Sequence, residues 1–568
     1  MPAQSDTARP ARRFVPADLD ANDIPAVAEL YRSLEARPLL DAAAVEAWIK
    51  DWDELNAVVA EAYDRAYVAM TCDTTDEGAE ARYMRIVEDL LPLWERSRFA
   101  LQRKLLDTPS HEALPPDYGL FLREARARVE LFREENVPLI TEAQKLEQEY
   151  GKITGAEMVD FRGEPRTMQQ MAVFLEETHR ALREEAWRAR DAVRAADSSK
   201  LDDLYDKMLV VRRKIANNAG KDNYRDYAFA NLLRFDYTPE DCIAFHEAIE
   251  RHVVPVVHQF NERRRQLLGL DRLRPWDTQV DPEGRPPLRP FETVDELIAG
   301  CRRIFEHVDP QLAGFYDAMI TGDLLDLGSR PGKAPGGYAT SFQEQRVPFI
   351  FMNAVGLKSD VDTLLHEGGH AFHYFLARDL PLQAYHHTTE EFAEVASQTM
   401  EYFARPYLRE FYSPDDLSRL RDDQLRRALG FLPFMAMLDA FQHWAYTTEN
   451  ADRDARHAKW AELEARFRPD IDWTGIESTR DAGWQYLHVF EVPFYYVEYG
   501  ISLLAALRIW LNSLHDERAA VGAYKHALAL GGSRTLPELF TAAGARFGMD
   551  DRIVSEIVEG TVSQIENP

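Results

Sequence analysis

The chain has 568 residues, 45% of them hydrophobic and 29% charged, with a mean hydropathy of -0.41. These values fit a soluble globular protein of two or more lobes and exclude a disordered or membrane-embedded chain. A net charge of -29 argues against general nucleic-acid affinity, which needs clustered Lys and Arg; it serves solubility, or an acidic cleft that draws in cationic peptides.

At the N-terminus Arg9, Arg12 and Arg13 are followed by no apolar run, so a secretory signal is not expected. From Ile24 to about Leu106 apolar residues recur at helical spacing, as in Val27, Leu30, Tyr31, Leu34 and Val45, Trp48, Trp52, Leu55, which predicts a helical N-terminal lobe. Breakers at Pro109 and Pro115-Pro116 precede a long charged helix expected through Phe121 to Glu149. Glu157 to Met168, with Gly163 between two short mixed runs, reads as a hairpin and a boundary region. Met168 to Phe235 is helical in pattern, interrupted at Gly220, and the Pro-rich Leu273 to Pro290 is loop.

Gly328 to Val355 breaks the helical pattern: Lys333-Ala-Pro-Gly-Gly-Tyr-Ala-Thr-Ser-Phe and Val347-Pro-Phe-Ile-Phe-Met-Asn read as two short strands. After Ser359 helical periodicity returns, broken at Pro381, Pro406, Pro433, Pro493 and Pro537. The apolar run from Ile501 to Leu507 is cut short by Arg508, far below the roughly 20 residues of a bilayer span. Cys72, Cys242 and Cys301 have no metal-type spacing, and their sparseness fits a reducing, cytoplasmic location.

In Asp362-Thr-Leu-Leu-His-Glu-Gly-Gly-His-Ala-Phe-His, His366 and His370 are four apart. On a helix they project from one face and can share a cation, for which neutral imidazole suits Zn2+. Glu367 sits one step round, able to reach a water at the metal and act as general base without ligating. Gly368 and Gly369 each cost about 1 kcal/mol in a helix relative to Ala, which asks for close packing there.

A catalytic zinc needs a third protein ligand and one open position. Downstream, Glu390-Glu-Phe-Ala-Glu-Val-Ala-Ser-Gln-Thr-Met-Glu offers four carboxylates. Glu390 and Glu391 are explained as first-turn acids favoured by the helix dipole. Glu394, among small apolar residues, is costly unless paired or metal-bound and is the preferred third ligand. Glu401, seven further on the same face, is expected to fix a ligand histidine. His373 is expected as a satisfied helix histidine, and His386-His387 as solvent-facing or peptide-contacting. The segment His488-Val-Phe-Glu-Val-Pro-Phe-Tyr-Tyr-Val-Glu-Tyr-Gly is rich in donors that can stabilise an oxyanion, or else supplies core aromatics. Gly336, Gly337 and Tyr338 with the strand Phe349-Ile-Phe-Met either line a cleft and pair with peptide backbone, or merely pack on the metal helix.

These segments together resemble the thimet oligopeptidase and oligoendopeptidase F family of zinc metallopeptidases, most closely its bacterial oligoendopeptidase branch. The resemblance rests on His366 to His373, Phe392 to Gln398, Lys333 to Tyr338 and His488 to Tyr499. It implies a mainly α, two-lobed helical metallopeptidase enclosing a deep substrate channel that admits short unstructured peptides, with a small β element next to the zinc helix. It further implies one Zn2+ held by His366, His370 and Glu394, water activation by Glu367, and substrate and transition-state contacts from His488, Tyr496 and Tyr499. The His-to-Tyr spacing is one residue shorter than in the thimet branch, so Tyr495 competes with Tyr496. Along the chain we expect an N-terminal helical lobe over 1–185, carrying the hairpin near 157–168, and a catalytic region over 186–568. The expected activity is endo-cleavage of short peptides, with no nucleic-acid or membrane partner. A helical zinc carboxypeptidase and an inactive peptide-binding scaffold are the rivals.

Overall fold

The computed structural model describes residues 11–330, 332–334 and 336–566. Arg9 and Pro335, both used above, lie outside the described residues. The fold is mainly helical, with 70% of the described residues in helices. No helix among the described residues is long and apolar enough to cross a membrane.

Two compact units emerge, each built from three stretches of chain. The first comprises Met1–Glu130, Arg289–Ser418 and Ser502–Phe547; the second comprises Leu131–Leu288, Arg419–Ile501 and Gly548–Pro568.

In the first unit, Val27, Leu34, Trp48, Trp52, Leu55, Leu101 and Leu105 form a continuous core with Leu382 and Tyr385. These are the positions that the helical spacing places on one face, so the apolar stripes of successive helices meet. Three strands, β1 (Leu325–Gly328), β2 (Tyr338–Phe342) and β3 (Val347–Ala354), form a sheet in the order β1-β3-β2. β3 pairs parallel with β1 and antiparallel with β2, Ala339 opposite Ile350. All of β3 but Asn353 is buried, as expected of a central strand covered on both faces. β1 is absent from the sequence reading; four residues are too few to declare a period of two.

In the second unit, Met158–Phe161 pairs antiparallel with Glu164–Thr167, and the turn is made by Arg162 and Gly163, both at positive φ. Val159 and Phe161 pack with Met171, Leu175 and Ala186. A 39-residue helix, Arg180–Asn218, ends where Gly220 takes φ +73° and Lys221 N donates to Ala216 O at 3.0 Å, a closure that satisfies last-turn carbonyls.

Two helical expectations need correction. The helix expected through Phe121 to Glu149 is two helices, Gly119–Leu131 and Asn136–Gly155. Pro138 lies in the first turn of the second, where its missing N–H costs nothing, so the chain restarts there instead of continuing. Pro433 breaks nothing: it lies inside the helix Pro414–Thr447. Leu429, Leu432, Met435 and Ala436 around it are fully buried, and this packing outweighs the roughly 3 kcal/mol cost of an interior proline.

Candidate active site

The helix Lys358–Ala377 follows directly on the sheet. Its start is fixed by Asp360, whose Oδ2 accepts from Val355 N and Leu357 N at 2.8 Å each. Two turns on, the rings of His366 and His370 stand 5.0 Å apart on the same face. Gly368 and Gly369 have different neighbours. A Cβ on Gly368 would meet the Phe305 ring at 2.7 Å, and one on Gly369 would meet Ala396 O and Ser397 Cα at 2.6 Å. The close packing that two helical glycines ask for is therefore against protein, and on the Gly369 side it draws in the helix Glu390–Phe403.

That approach sets Glu394 against the histidines. His366 Nε2 lies 3.4 Å from Glu394 Oε2 and His370 Nε2 lies 3.9 Å from Glu394 Oε1. One donor atom from each of the three lies within 4.8 Å of the others. Glu394 is buried, and its Oε2 accepts from Ser397 Oγ at 3.0 Å. On its far side His366 Nδ1 meets Glu401 Oε1 at 2.7 Å, which leaves Nε2 as the nitrogen facing Glu394. Two imidazole nitrogens and a carboxylate oxygen, with outer partners that orient them, are the donor set of a three-ligand zinc site. The residues fit the metal.

The electrostatics agree. Burial disfavours a charged His366, yet the Glu401 hydrogen bond and the charges of Glu394, Glu401 and Glu367 outweigh it and raise its pKa to about 10; the cluster is a place for positive charge. His370 is driven well below its ordinary value by burial and by His366, so its nitrogen is a ready lone-pair donor. Glu367 is 8% exposed. Burial, aided by Glu394 and Glu401 and opposed by His366, lifts its carboxyl to about 7, while the Ala339 amide of β2 donates to it.

His373, one turn beyond His370, is buried against the edge of Phe392, and burial lowers its pKa to about 3. Its Nε2 has no hydrogen-bond partner among the described residues, so it is a buried neutral imidazole rather than a fully satisfied one. Of the loop pair, His387 is exposed as a residue, but its ring turns inward, with Nε2 3.3 Å from Ser341 Oγ and its pKa lowered to about 4 by burial; His386 is buried with Nε2 3.1 Å from Leu380 O, and the solvent-facing expectation fails for His386.

Lys333 and Tyr338 support the sheet. The Lys333 ammonium donates to Asp326 Oδ1 at 2.8 Å and to Met352 O at 2.6 Å, and Tyr338 stacks on Phe351 at 4.8 Å with its hydroxyl 2.7 Å from Thr71 Oγ1. Gly336, at φ +96°, has open space around its Cβ direction, and Gly337 packs near Phe351 O at 3.4 Å. β2 is the edge strand on this side.

In the second unit, His488, Tyr495, Tyr496 and Tyr499 gather into one aromatic cluster. The His488 ring lies 4.6 Å from Tyr496 and 5.9 Å from Tyr499, and Tyr495 and Tyr499 are 5.2 Å apart. Tyr496 is buried and bonds Tyr486, so burial and that neighbour raise its pKa; His488, Tyr495 and Tyr499 are half-buried. Burial lowers His488 to about 4.

The segment is launched by Phe494 at φ +68°, a conformation that costs a bulky residue about 1–3 kcal/mol and persists only when its surroundings impose it. Here Phe494 N donates to Gln442 Oε1 at 2.8 Å, the Arg234 guanidinium donates to Phe494 O, and the same Arg234 pairs with buried Glu498 at 2.7 Å. Sequence reasoning missed Ser397, the Ala339 amide, Phe494 and Arg234. Only Ser397 carried a signal, a hydroxyl three residues after the chosen glutamate.

Comparison with known proteins follows the same lines. The description "Peptidase family M3" matches residues 173–559 and "Peptidase M3 N-terminal domain" matches residues 15–132. Group B oligopeptidase PepB of Streptococcus agalactiae is 21% identical over 69% of this chain, and an oligoendopeptidase F homolog of Lactococcus lactis is 22% identical over 69%. In each case the match spans 65% of the relative's own length. A solved structure of Pz peptidase A with an inhibitor superposes with a TM-score of 0.90 at 28% identity, covering 98% of this chain and 99% of that one. The chain belongs to peptidase family M3.

Proposed function

We propose that this protein is a zinc-dependent oligoendopeptidase that hydrolyses internal bonds of short unstructured peptides. The observation that carries the reading is the convergence of His366 Nε2 and His370 Nε2 on the Glu394 carboxylate, with buried Glu367 alongside. His366, His370 and Glu394 hold one Zn2+, which when bound polarises the scissile carbonyl and eases deprotonation of the attacking water. Glu367 takes that proton onto a carboxylate whose proton affinity burial has raised to about 7, and returns it to the departing amine. The Ala339 amide holds the Glu367 carboxylate in place, and Glu401 fixes the orientation of His366.

The family resemblance supplies the remaining roles. His488, Tyr496 and Tyr499, with Tyr495 as competitor, contact substrate and donate to the oxyanion of the tetrahedral transition state. Gly336, Gly337 and Tyr338 beside the edge strand β2 bind substrate backbone by strand addition. Division into 1–185 and 186–568, a cytoplasmic location and restriction to short peptides belong to the same reading.

Digestion of a peptide library with and without chelator, read by mass spectrometry, tests it. Internal cleavage that stops on chelation and returns with Zn2+ is the expected result. Release of single C-terminal residues would make it a carboxypeptidase, and chelator-insensitive cleavage would end the metal reading.

A further inference from the structure

A second set of metal-type donors lies in the second unit, away in sequence from His366, His370 and Glu394. The helix Pro239–His252 carries Cys242 and His246, and the helix Pro414–Thr447 carries Asp439 and His443. Each pair is four residues apart, so each projects from one face of its helix. The four are 0%, 3%, 0% and 5% exposed in the order named. One donor atom each from Cys242, Asp439 and His443 lies within 4.8 Å of the others.

The hydrogen bonding of this cluster is incomplete. His246 Nε2 lies 2.8 Å from Asp439 Oδ2. His443 Nε2 approaches the same oxygen to 3.2 Å without the alignment of a hydrogen bond, and neither ring nitrogen of His443 nor Asp439 Oδ1 has a hydrogen-bond partner among the described residues. Phe229 and Phe494 stand edge-on to the His443 ring at 5.9 and 5.4 Å. Buried polar groups without partners are rare in native proteins, and a carboxylate in an apolar interior needs a cation or a full set of donors.

We infer that Cys242, Asp439 and His443 form a second, structural zinc site, with His246 holding the carboxylate from outside. Thiolate, carboxylate oxygen and imidazole nitrogen are all donors zinc accepts, and one divalent cation takes a single nitrogen of His443 together with an oxygen of Asp439 and the Cys242 sulfur. Binding releases the thiol proton of Cys242 to solvent and leaves the cysteine as thiolate. The site ties the two helices together beneath Phe494, the strained residue from which the tyrosine segment departs. All three of these donors are buried, whereas His366 and His370 are partly exposed. The inference does not depend on the peptidase reading.

The test uses the full chain carrying His366→Ala and His370→Ala, which removes the first centre. After incubation with Zn2+ and dialysis, about one equivalent of zinc is expected to remain, and Zn2+ is expected to raise the melting temperature. Titration with Co2+ in place of zinc is expected to give a thiolate-to-cobalt charge-transfer band. Adding Cys242→Ser should remove the band and the retained equivalent. If that variant fails to fold by circular dichroism, the band in the folded parent decides alone. A folded parent with no retained metal and no thiolate band overturns the inference, as does a band that survives Cys242→Ser.

Discussion

Glu401 Oε1 accepts a hydrogen bond from His366 Nδ1 at 2.7 Å, while His366 Nε2 stands 3.4 Å from Glu394. One carboxylate thus sets the tautomer and tilt of a ring whose other nitrogen faces the second carboxylate. Removing such an outer partner weakens metal affinity about 10–100-fold. Glu401→Ala is therefore expected to bind zinc that much more weakly, measured by competition with a chromophoric chelator, while the folded structure is retained.

Gly369 is fixed by its neighbours. A Cβ there would lie 2.6 Å from Ala396 O and Ser397 Cα, backbone atoms that cannot swing aside. Gly369→Ala is expected to push the glutamate helix away, cost about 1–3 kcal/mol as overpacking does, and lower both melting temperature and zinc retention. A variant with unchanged melting temperature would show that the two helices are less tightly docked than described.

Arg234 and Glu498 are both buried, with side chains 1% and 3% exposed. Losing one member of a buried pair strands the other, at about 3–5 kcal/mol, and here the Phe494 carbonyl loses its donor too. Arg234→Met should lower the urea midpoint accordingly and reduce peptide turnover through the displaced tyrosine segment. Turnover unchanged in the folded fraction would separate Phe494 geometry from function.

Burial pushes His386 down from its ordinary 6.5 to about 4. The unfolded chain takes a proton below 6.5 that the folded chain refuses until about 4, so this contribution is complete above 6.5 and is lost as pH falls across that window. At about 1.4 kcal/mol per unit the loss is on the order of 3 kcal/mol. Urea unfolding followed from neutral pH to pH 4 should show it, and His386→Leu should flatten the decline.

Which parts of this protein are readable before folding depends on how local their physics is. His366, Glu367 and His370 need only the period of one helix. The preference for Glu394 over Glu390 and Glu391 follows from helix position, since the structure puts the latter two in the first turn. The glycine pair pointed to close packing, but its partners, Phe305 on one side and Ala396 with Ser397 on the other, are tertiary. Strand β1 exists because it docks beside β3, and Pro433 is tolerated because its surroundings are buried; neither cause is written within a few residues. The Cys242, His246, Asp439 and His443 cluster is the extreme case. Two ordinary four-residue spacings in separate stretches become one set of donors only when their helices pack.

Zinc content and peptide turnover of Glu367→Gln, measured together, test the central claim most directly. Glutamine keeps the shape at this buried position and loses the base. The expected result is the metal content of the unmutated protein with cleavage reduced at least about 100-fold, the lower bound for removing a general base. Cleavage at the unmutated rate by a fully metallated Glu367→Gln protein would contradict the account.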